Sequence, residues 1–109
     1  MVSSGPGVTN IVTPVADAYY DSVPLIIFTG QVGQKDMKGK IKIRQKGFQE
    51  TDTMSLFESI TKQCFQPKNP NEVYEIVNKA FKVASSGRPG PVLIDLPMNI
   101  QRDYFVKSR

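Results

Sequence analysis

Residues 3–31, SSGPGVTNIVTPVADAYYDSVPLIIFTGQ, organise the rest of this 109-residue chain. They indicate a glycine–proline loop, one amphipathic helix, a short turn and a buried strand that ends in Gly30. In open α/β sheets, ligands bind where loops leave the carboxyl ends of the strands. The stretch supplies two such places, at residues 3–7 before the helix and at residues 30–33 after the strand.

The loop at residues 3–7 places a proline between two glycines. Gly5 and Gly7 lack a Cβ, so the backbone there can adopt positive φ angles or lie close to a ligand. Pro6 stiffens the turn between them. Thr9 or Asn10 is expected to cap the helix that follows, whose first N–H groups attract polar or negative atoms.

The spacing of apolar residues indicates a helix and then a strand after this loop. Pro14 removes one helical hydrogen bond, so we expect the regular helix to begin late or to bend there. The strand is predicted over residues 24–29, because a short apolar run bounded by Pro24 and Gly30 is typical of a strand covered on both faces. A buried helix segment is the alternative. The predicted apolar face of the helix is Val8, Ile11, Val12, Val15, Ala16 and Tyr19.

Residues 33–47 form a polar, glycine-bounded connection that concentrates positive charge. Residues 35–46 contain six lysines and arginines and a single acidic residue, Asp36. This segment therefore has a net charge of +5, whereas the whole chain has a net charge of +4. The alternation over residues 40–44 allows a short β-ribbon. A solvated, mobile loop is typical of such a charge run, and a lid over an acidic or phosphate-bearing substrate is the functional alternative.

The second half of the chain indicates two further strands around a long helix. Asp52 is expected to cap a short helix, followed by a strand at residues 63–66. Asn69, Pro70 and Glu72 form a helix-start signal, and Gly87 ends that helix. A strand at residues 92–96 completes a right-handed parallel crossover. The expected apolar faces are Met54, Phe57 and Ile60 in the short helix and Val73, Ile76, Val77, Ala80, Phe81 and Ala84 in the long one.

Asp95 is unusual because it is a carboxylate inside a buried strand, where it needs a hydrogen-bonding partner. We expect that partner to be nearby backbone or Arg88.

The tail at residues 99–109 is expected to be a linker. The chain has no His and only Cys64, so zinc sites and Ser-His or Cys-His nucleophiles are excluded, and a reducing compartment is favoured. No apolar run approaches the roughly 20 residues that span a bilayer.

Five of these segments together resemble the large subunit of acetolactate synthase, and more broadly the enzymes of that type that depend on thiamine diphosphate, also called thiamine pyrophosphate (TPP). The resemblance covers nearly all of residues 3–101. It implies an α/β fold with a partial doubly wound parallel sheet of about three strands and three helices, half of a pyrimidine-binding domain. Residues 1–101 would belong to that N-terminal domain and residues 102–109 would begin a linker to a middle domain. The matching segments are SGPGVTN at 4–10, ADAYYDSVPLIIFTGQ at 16–31, GFQETD at 47–52, ITK at 60–62 and GRPGPVLIDLP at 87–97.

The resemblance also implies roles for individual residues. Pro6, Gly7 and Asn10 would lie against the pyrimidine ring of thiamine diphosphate, and Gln49 would reach the same cofactor. The structural alternative for Gln49 is a hydrogen bond within its loop. In the same way, Ser22 would touch FAD where FAD is retained. The resemblance further assigns Phe48 and Lys62 to the substrate channel, and their structural alternatives are a loop anchor and an exposed lysine.

The implied activity is the condensation of a decarboxylated 2-keto acid such as pyruvate with an acceptor, as in branched-chain amino acid biosynthesis. The family's catalytic glutamate precedes the matched region, and another domain holds the diphosphate and Mg²⁺. This chain would therefore be an inactive, marginally stable fragment with no catalytic or metal-ligating residue of its own. It would need the rest of a cytoplasmic or organellar enzyme that forms homodimers or tetramers.

One feature departs from the family, because acetolactate synthases have a shorter and less basic loop at residues 33–47. The resemblance therefore leaves the substrate open. The alternative function is a non-catalytic basic module that binds nucleic acid or anionic surfaces through residues 35–46. Against nucleic acid, this segment lacks the interleaved aromatic residues of a single-strand binder.

Overall fold

The computed structural model describes residues 1–103, which form an α/β fold around an open parallel sheet. Within these residues the sheet has three strands, β1 (Leu25–Gln31), β2 (Gln63–Phe65) and β3 (Pro91–Pro97), in the order β1-β3-β2. The predicted fold class is confirmed. The helices are α1 (Pro6–Thr9), α2 (Val12–Tyr20), α3 (Thr53–Phe57), α4 (Glu72–Ser85) and α5 (Met98–Arg102), with 3₁₀ turns at Gln34–Asp36 and Glu58–Ile60.

The central strand β3 is buried along its whole length because apolar side chains cover it from both faces. Successive side chains of a strand point to opposite faces, so Leu93 packs on one side while Val92 and Ile94 pack on the other. Cover on both faces was predicted for β1, but the structure shows it fully only for β3. In β1, Ile27 and alternate residues are buried on one face, whereas Ile26 and Phe28 on the other face are only partly buried. The first face contains Val8, Val15, Ile27, Phe57, Ile60 and Leu93, and the second contains Ala80, Ala84, Val92, Ile94 and Leu96.

The helix after the glycine–proline loop begins late, as the proline predicts. The chain makes one turn, α1, and regular helix restarts only at Val12, with Pro14 in the first turn, where its missing N–H costs little. The prediction that Thr9 or Asn10 caps the helix was wrong. The break puts both residues at the carboxyl end of α1, and neither Gly5 nor Ile11, which precede the two helices, makes a side-chain cap.

The long helix α4 begins at Glu72, two residues after the predicted first helical position at Pro70, and its buried face also differs from the prediction. The Asn69 Oδ1 accepts hydrogen bonds from the backbone N–H of Asn71 and Glu72, at 3.0 and 3.2 Å. Phe81, which we placed on the buried face, is 59% exposed. It lies at one edge of the apolar stripe, and Val83 packs at the opposite edge.

Two expectations about irregular segments were also wrong. Residues 99–102 belong to the helix α5 and are not a linker, because Ile100 is buried against the body of the fold; residues 104–109 lie outside the described residues. No ribbon forms at residues 40–44, which are all exposed, and the expectation of a solvated segment is confirmed. Across residues 1–103, no helix has the length and apolar character needed to cross a membrane.

Candidate functional site

The carboxyl edge of the sheet, where all three strands end, gathers the segments that the sequence marked for ligand binding. Val2 pairs in parallel with Thr29. Its N–H donates to the carbonyl of Phe28 at 2.9 Å, and its carbonyl accepts from the N–H of Gly30 at 2.8 Å. Because Val2 runs alongside β1, it carries the loop at residues 3–7 to the same edge as residues 30–33.

The glycine–proline loop lies directly against the turn that carries Gln49. Gly5 has a φ of +64°, and a Cβ built on it would lie 2.9 Å from the Cβ of Gln49. A Cβ on Gly7 would lie 2.6 Å from the Oγ of Ser3. Gly5 is therefore required both by contact and by backbone conformation, whereas the Ser3 hydroxyl near Gly7 is the end of a side chain that can rotate away.

Residues 48 and 49 are presented to solvent in an uncommon conformation. Gln49 has a φ of +61°, a region that side-chain-bearing residues rarely occupy. Phe48 is 87% exposed. Residues held in sparsely populated backbone conformations cluster at functional sites. Phe48 is not an anchor buried in the core, because most of its side chain is exposed.

The exposed side chains around this contact are chemically suited to a flat, polar ring. Pro6 and Asn10 are both exposed. Within residues 1–103, neither the amide of Asn10 nor that of Gln49 makes a side-chain hydrogen bond. Two amide groups without partners and one apolar proline ring can bind the hydrogen-bonding edge and the face of an aminopyrimidine.

An open cavity of about 690 Å³ adjoins the turn. Phe48 lines it together with Met98 and Arg102 of α5. A reciprocal pair of hydrogen bonds fixes its floor: the Gln34 N–H donates to the Asn99 Oδ1 at 2.9 Å, and the Asn99 Nδ2 donates to the Gln34 Oε1 at 2.8 Å. These bonds join the 3₁₀ turn after β1 to α5 beside the cavity.

Beneath this surface, Asp95 is fully buried and accepts three hydrogen bonds from neutral side chains. The donors are the Thr29 Oγ1 at 2.6 Å, the Gln31 Nε2 at 3.1 Å and the Gln66 Nε2 at 2.9 Å. Burial raises the pKa of Asp95 above its ordinary value, against the opposing effect of these donors. The expected partner, backbone or Arg88, was wrong.

Sequence reasoning missed this network, although one signal for it was available. Thr29 and Gln31 are two residues apart in a strand, so their side chains share a face. Thr29 is also the register partner of Asp95 across the β1–β3 pair. Polar residues alternating at the end of an otherwise apolar strand were therefore the visible sign of a buried polar cluster.

Glu50 holds together the basic segment at residues 38–46. Its two carboxylate oxygens accept from the backbone N–H of Lys38 at 2.7 Å and of Lys46 at 2.8 Å, which closes residues 38–46 into a ring. Partial burial would raise the pKa of Glu50, but the N–H donors of Lys46, Lys38 and Gly47 hold it below its ordinary value. Residues 40–44 lie within this ring and are all exposed.

Ser22 and Lys62 lie at the opposite, amino edge of the sheet, just before β1 and β2. The Ser22 Oγ accepts from the Arg88 Nε at 2.7 Å. The Lys62 Nζ donates to the carbonyls of Val83 and Ser86, at the end of α4. The described residues therefore bring Pro6, Gly7 and Phe48–Gln49 to one edge and leave Ser22 and Lys62 at the other.

Comparison with known proteins identifies the matched region. Residues 1–56 match the model of a family described as thiamine pyrophosphate enzyme, N-terminal TPP binding domain. The chain is 48% identical over 100 residues to the acetolactate synthase large subunit of Lactococcus lactis and 50% identical over 99 residues to the probable acetolactate synthase large subunit of Methanocaldococcus jannaschii. It is 45% identical over 100 residues to the mitochondrial acetolactate synthase catalytic subunit of Saccharomyces cerevisiae.

These matches cover most of this chain but little of each relative. They include 92%, 91% and 92% of this chain, and 16%, 16% and 14% of the respective relatives. The chain thus spans about one sixth of the length of the curated relatives it matches.

Proposed function

The chain belongs to the thiamine pyrophosphate enzyme family and carries sequence of its N-terminal TPP binding domain, and from this we propose that it forms one wall of the cofactor site of an acetolactate-synthase-like enzyme. The reaction would condense a decarboxylated 2-keto acid, pyruvate in the first instance, with an acceptor. The observation that carries the proposal is the contact between Gly5 and Gln49 at the carboxyl edge of the sheet.

In this proposal the chain's own residues bind and orient the cofactor. Pro6 and Gly7 offer a close, apolar surface to the pyrimidine ring, and the free amides of Asn10 and Gln49 hydrogen-bond its polar edge. Phe48, which is exposed beside the open cavity, would exclude water from the substrate channel. When bound, thiamine diphosphate supplies the carbanion chemistry, which belongs to the cofactor.

The proposal includes groups that other polypeptide must hold. Mg²⁺ and the diphosphate would be bound by a separate domain, and FAD, where it is retained, would contact Ser22. The family resemblance assigns Lys62 to the substrate channel, where its charge would steer an anionic keto acid, although its amine contacts α4 in this chain. The complete enzyme would be an oligomer that works in the cytoplasm or in an organelle and supplies branched-chain amino acid biosynthesis.

The experiment is a cofactor-dependence assay on the polypeptide as it is encoded, including any sequence that flanks residues 1–109. The protein is treated with a chelator, dialysed, and assayed for acetolactate formation from pyruvate with and without thiamine diphosphate and Mg²⁺. We expect no product without the two additions and restoration by both together. An equal rate of product formation with and without the cofactor, or no product with the cofactor present, would overturn the proposal.

A further inference from the structure

Gln31 links the buried network to the turn that carries Gln49. It is 4% exposed, and its Nε2 donates both to the Asp95 Oδ2 at 3.1 Å and to the backbone carbonyl of Thr51 at 2.7 Å. Its Oε1 accepts from the N–H of Val32 at 2.9 Å. Since a side-chain amide has two N–H donors, both donors of Gln31 are in use and the side chain has one orientation.

The carbonyl of Thr51 is a sensitive point at which to hold the turn. Thr51 stands two residues after Gln49, and its Oγ1 donates to the Gln49 carbonyl at 3.4 Å. The N–H of Thr53 also donates to the Thr51 carbonyl, at 2.8 Å, where α3 begins. A shift of this carbonyl therefore moves both the start of α3 and the strained Gln49, whose position against Gly5 leaves no room for a Cβ.

Asp95 fixes Gln31 in turn, and the carboxylate form suits this role. A carboxylate only accepts hydrogen bonds, whereas a carboxylic acid has an O–H that must donate. Thr29, Gln31 and Gln66 all present donors to Asp95, so the ionised form satisfies all three. Burying an ionised group without a cation costs free energy. In this fold the Asp95 carboxylate holds the Gln31 amide in one position at the end of β1.

We propose that Gln31 is a positioning residue for the cofactor site, acting through Thr51 on Gln49 and held in place by Asp95. This inference rests on the proposed function for the identity of the ligand. Gln31 itself touches no reacting atom. It sets where the Gln49 amide lies relative to the loop at residues 3–7.

Gln66 provides a matched control for the test. It donates to the same oxygen of Asp95 as Gln31 does, at 2.9 Å, but has no hydrogen bond to residues 48–53. Gln31→Met and Gln66→Met each remove one amide and keep a similar volume. Both therefore weaken the Asp95 network, and only the first releases the turn.

The first readout is the concentration of thiamine diphosphate that gives half-maximal activation of the encoded polypeptide. Gln31→Met should raise it about tenfold, because small misplacements at a binding site have effects of that order or larger. Gln66→Met should leave it within about twofold, because the turn stays in place. Equal shifts in the two variants would overturn the proposal and reduce Gln31 to a structural role.

The second readout is hydrogen exchange of residues 48–53, which needs neither cofactor nor activity. Exchange there should become faster in Gln31→Met than in Gln66→Met. An unchanged rate would overturn the positioning role even if the wild type needs the cofactor. A wild type that ignores thiamine diphosphate would instead refute the proposed function, while the exchange comparison still decides whether Gln31 holds the turn. Should Gln31→Met not fold, Gln31→Asn, whose shorter amide cannot span both acceptors, replaces it.

Discussion

Two carboxylates, Asp95 in the sheet and Glu50 beside the basic segment, hold neighbouring parts of the carboxyl edge in opposite ways. Asp95 is fully buried and its donors are three neutral side chains from other strands and connections. Glu50 is near the surface and its donors are backbone N–H groups of one local segment. The pKa of Asp95 is raised by burial, whereas the pKa of Glu50 is lowered by its N–H donors.

The difference separates a buried part of the fold, whose polar groups have few other hydrogen-bond partners, from a surface part, whose polar groups can bond to water. Removing the buried carboxylate takes the acceptor from three donors, of which those of Thr29 and Gln31 are buried, and each unsatisfied buried donor costs free energy. Removing the surface carboxylate exposes two N–H groups to solvent, which hydrogen-bonds them in its place. We therefore expect the proposed cofactor site to depend on Asp95 and to tolerate changes in residues 38–46.

The largest expected effect is that of Asp95→Ala. It should lower the free energy of unfolding by about 3 kcal/mol, since it leaves the buried Thr29 hydroxyl and one N–H of Gln31 without an acceptor and removes the acceptor of Gln66. Glu50→Ala should cost less than about 1 kcal/mol, because water replaces its bonds. Urea denaturation of both variants measures the two values. Similar losses in the two variants would erase the distinction between the regions.

The next effect concerns the close approach at the proposed site. Gly5→Ala should cost about 2 kcal/mol, from its positive φ and from the clash with Gln49. Gly87→Ala is the control, because Gly87 has a φ of +57° with nothing within 4 Å of a built Cβ, and it should cost about 1 kcal/mol. Denaturant midpoints compare them. A Gly5→Ala loss no larger than that of Gly87→Ala would show that the contact with Gln49 is loose.

The sequence predicted the strands and the apolar faces well, because the spacing of apolar residues and the glycines and prolines that bound each segment are local signals. The buried run at β3 and the hydrogen bonds of Asn69 just before α4 needed only neighbouring residues. The partners of Asp95 could not be read in this way, since Thr29 and Gln31 lie 66 and 64 residues away. The helix α5 was missed because its formation depends on burying Ile100 against the folded sheet.

The same contrast holds for the candidate site, whose motifs are visible in the sequence but whose contacts are not. The resemblance named the loop and the turn, but only the structure shows that Gly5 and Gln49 touch. Motif matching also grouped Lys62 with Phe48, although they lie at opposite edges of the sheet. Spacing along the chain carries no information about which edge a residue reaches until the strand directions and their register are known.

Lys62→Met tests the residue that the fold separates from the rest of the site. Loss of its two bonds to the end of α4 should cost about 1 kcal/mol in urea denaturation. If Lys62 also lines the channel, the KM for pyruvate should rise about threefold, as expected for one charge that steers an anionic substrate. An unchanged KM together with the stability loss would leave Lys62 as a helix cap only. Lys82→Met, which alters an exposed lysine of α4, is the matched control.

The smallest effect is a difference in the sign of two pH dependences. The raised pKa of Asp95 means that its contribution to stability is fully present below its ordinary value of 3.8 and is lost as pH rises through the raised value. The lowered pKa of Glu50 means that its contribution is present above 4.5 and is lost as pH falls through the lowered value. Urea midpoints of wild type, Asp95→Asn and Glu50→Gln across acidic to neutral pH should therefore diverge in opposite directions. Parallel pH profiles would contradict the assignment.

The most direct test of the central claim, that the loop at residues 3–7 and the turn at Gln49 form one wall of a thiamine diphosphate site, is the half-activating concentration of that cofactor in Gln49→Ala. The encoded polypeptide carrying this change is compared with Lys42→Ala, which alters an exposed residue of the basic segment. The account predicts a rise of about tenfold or more for Gln49→Ala, of the order lost with a misplaced binding group, and no change for Lys42→Ala. A half-activating concentration in Gln49→Ala equal to that of the wild type would contradict it.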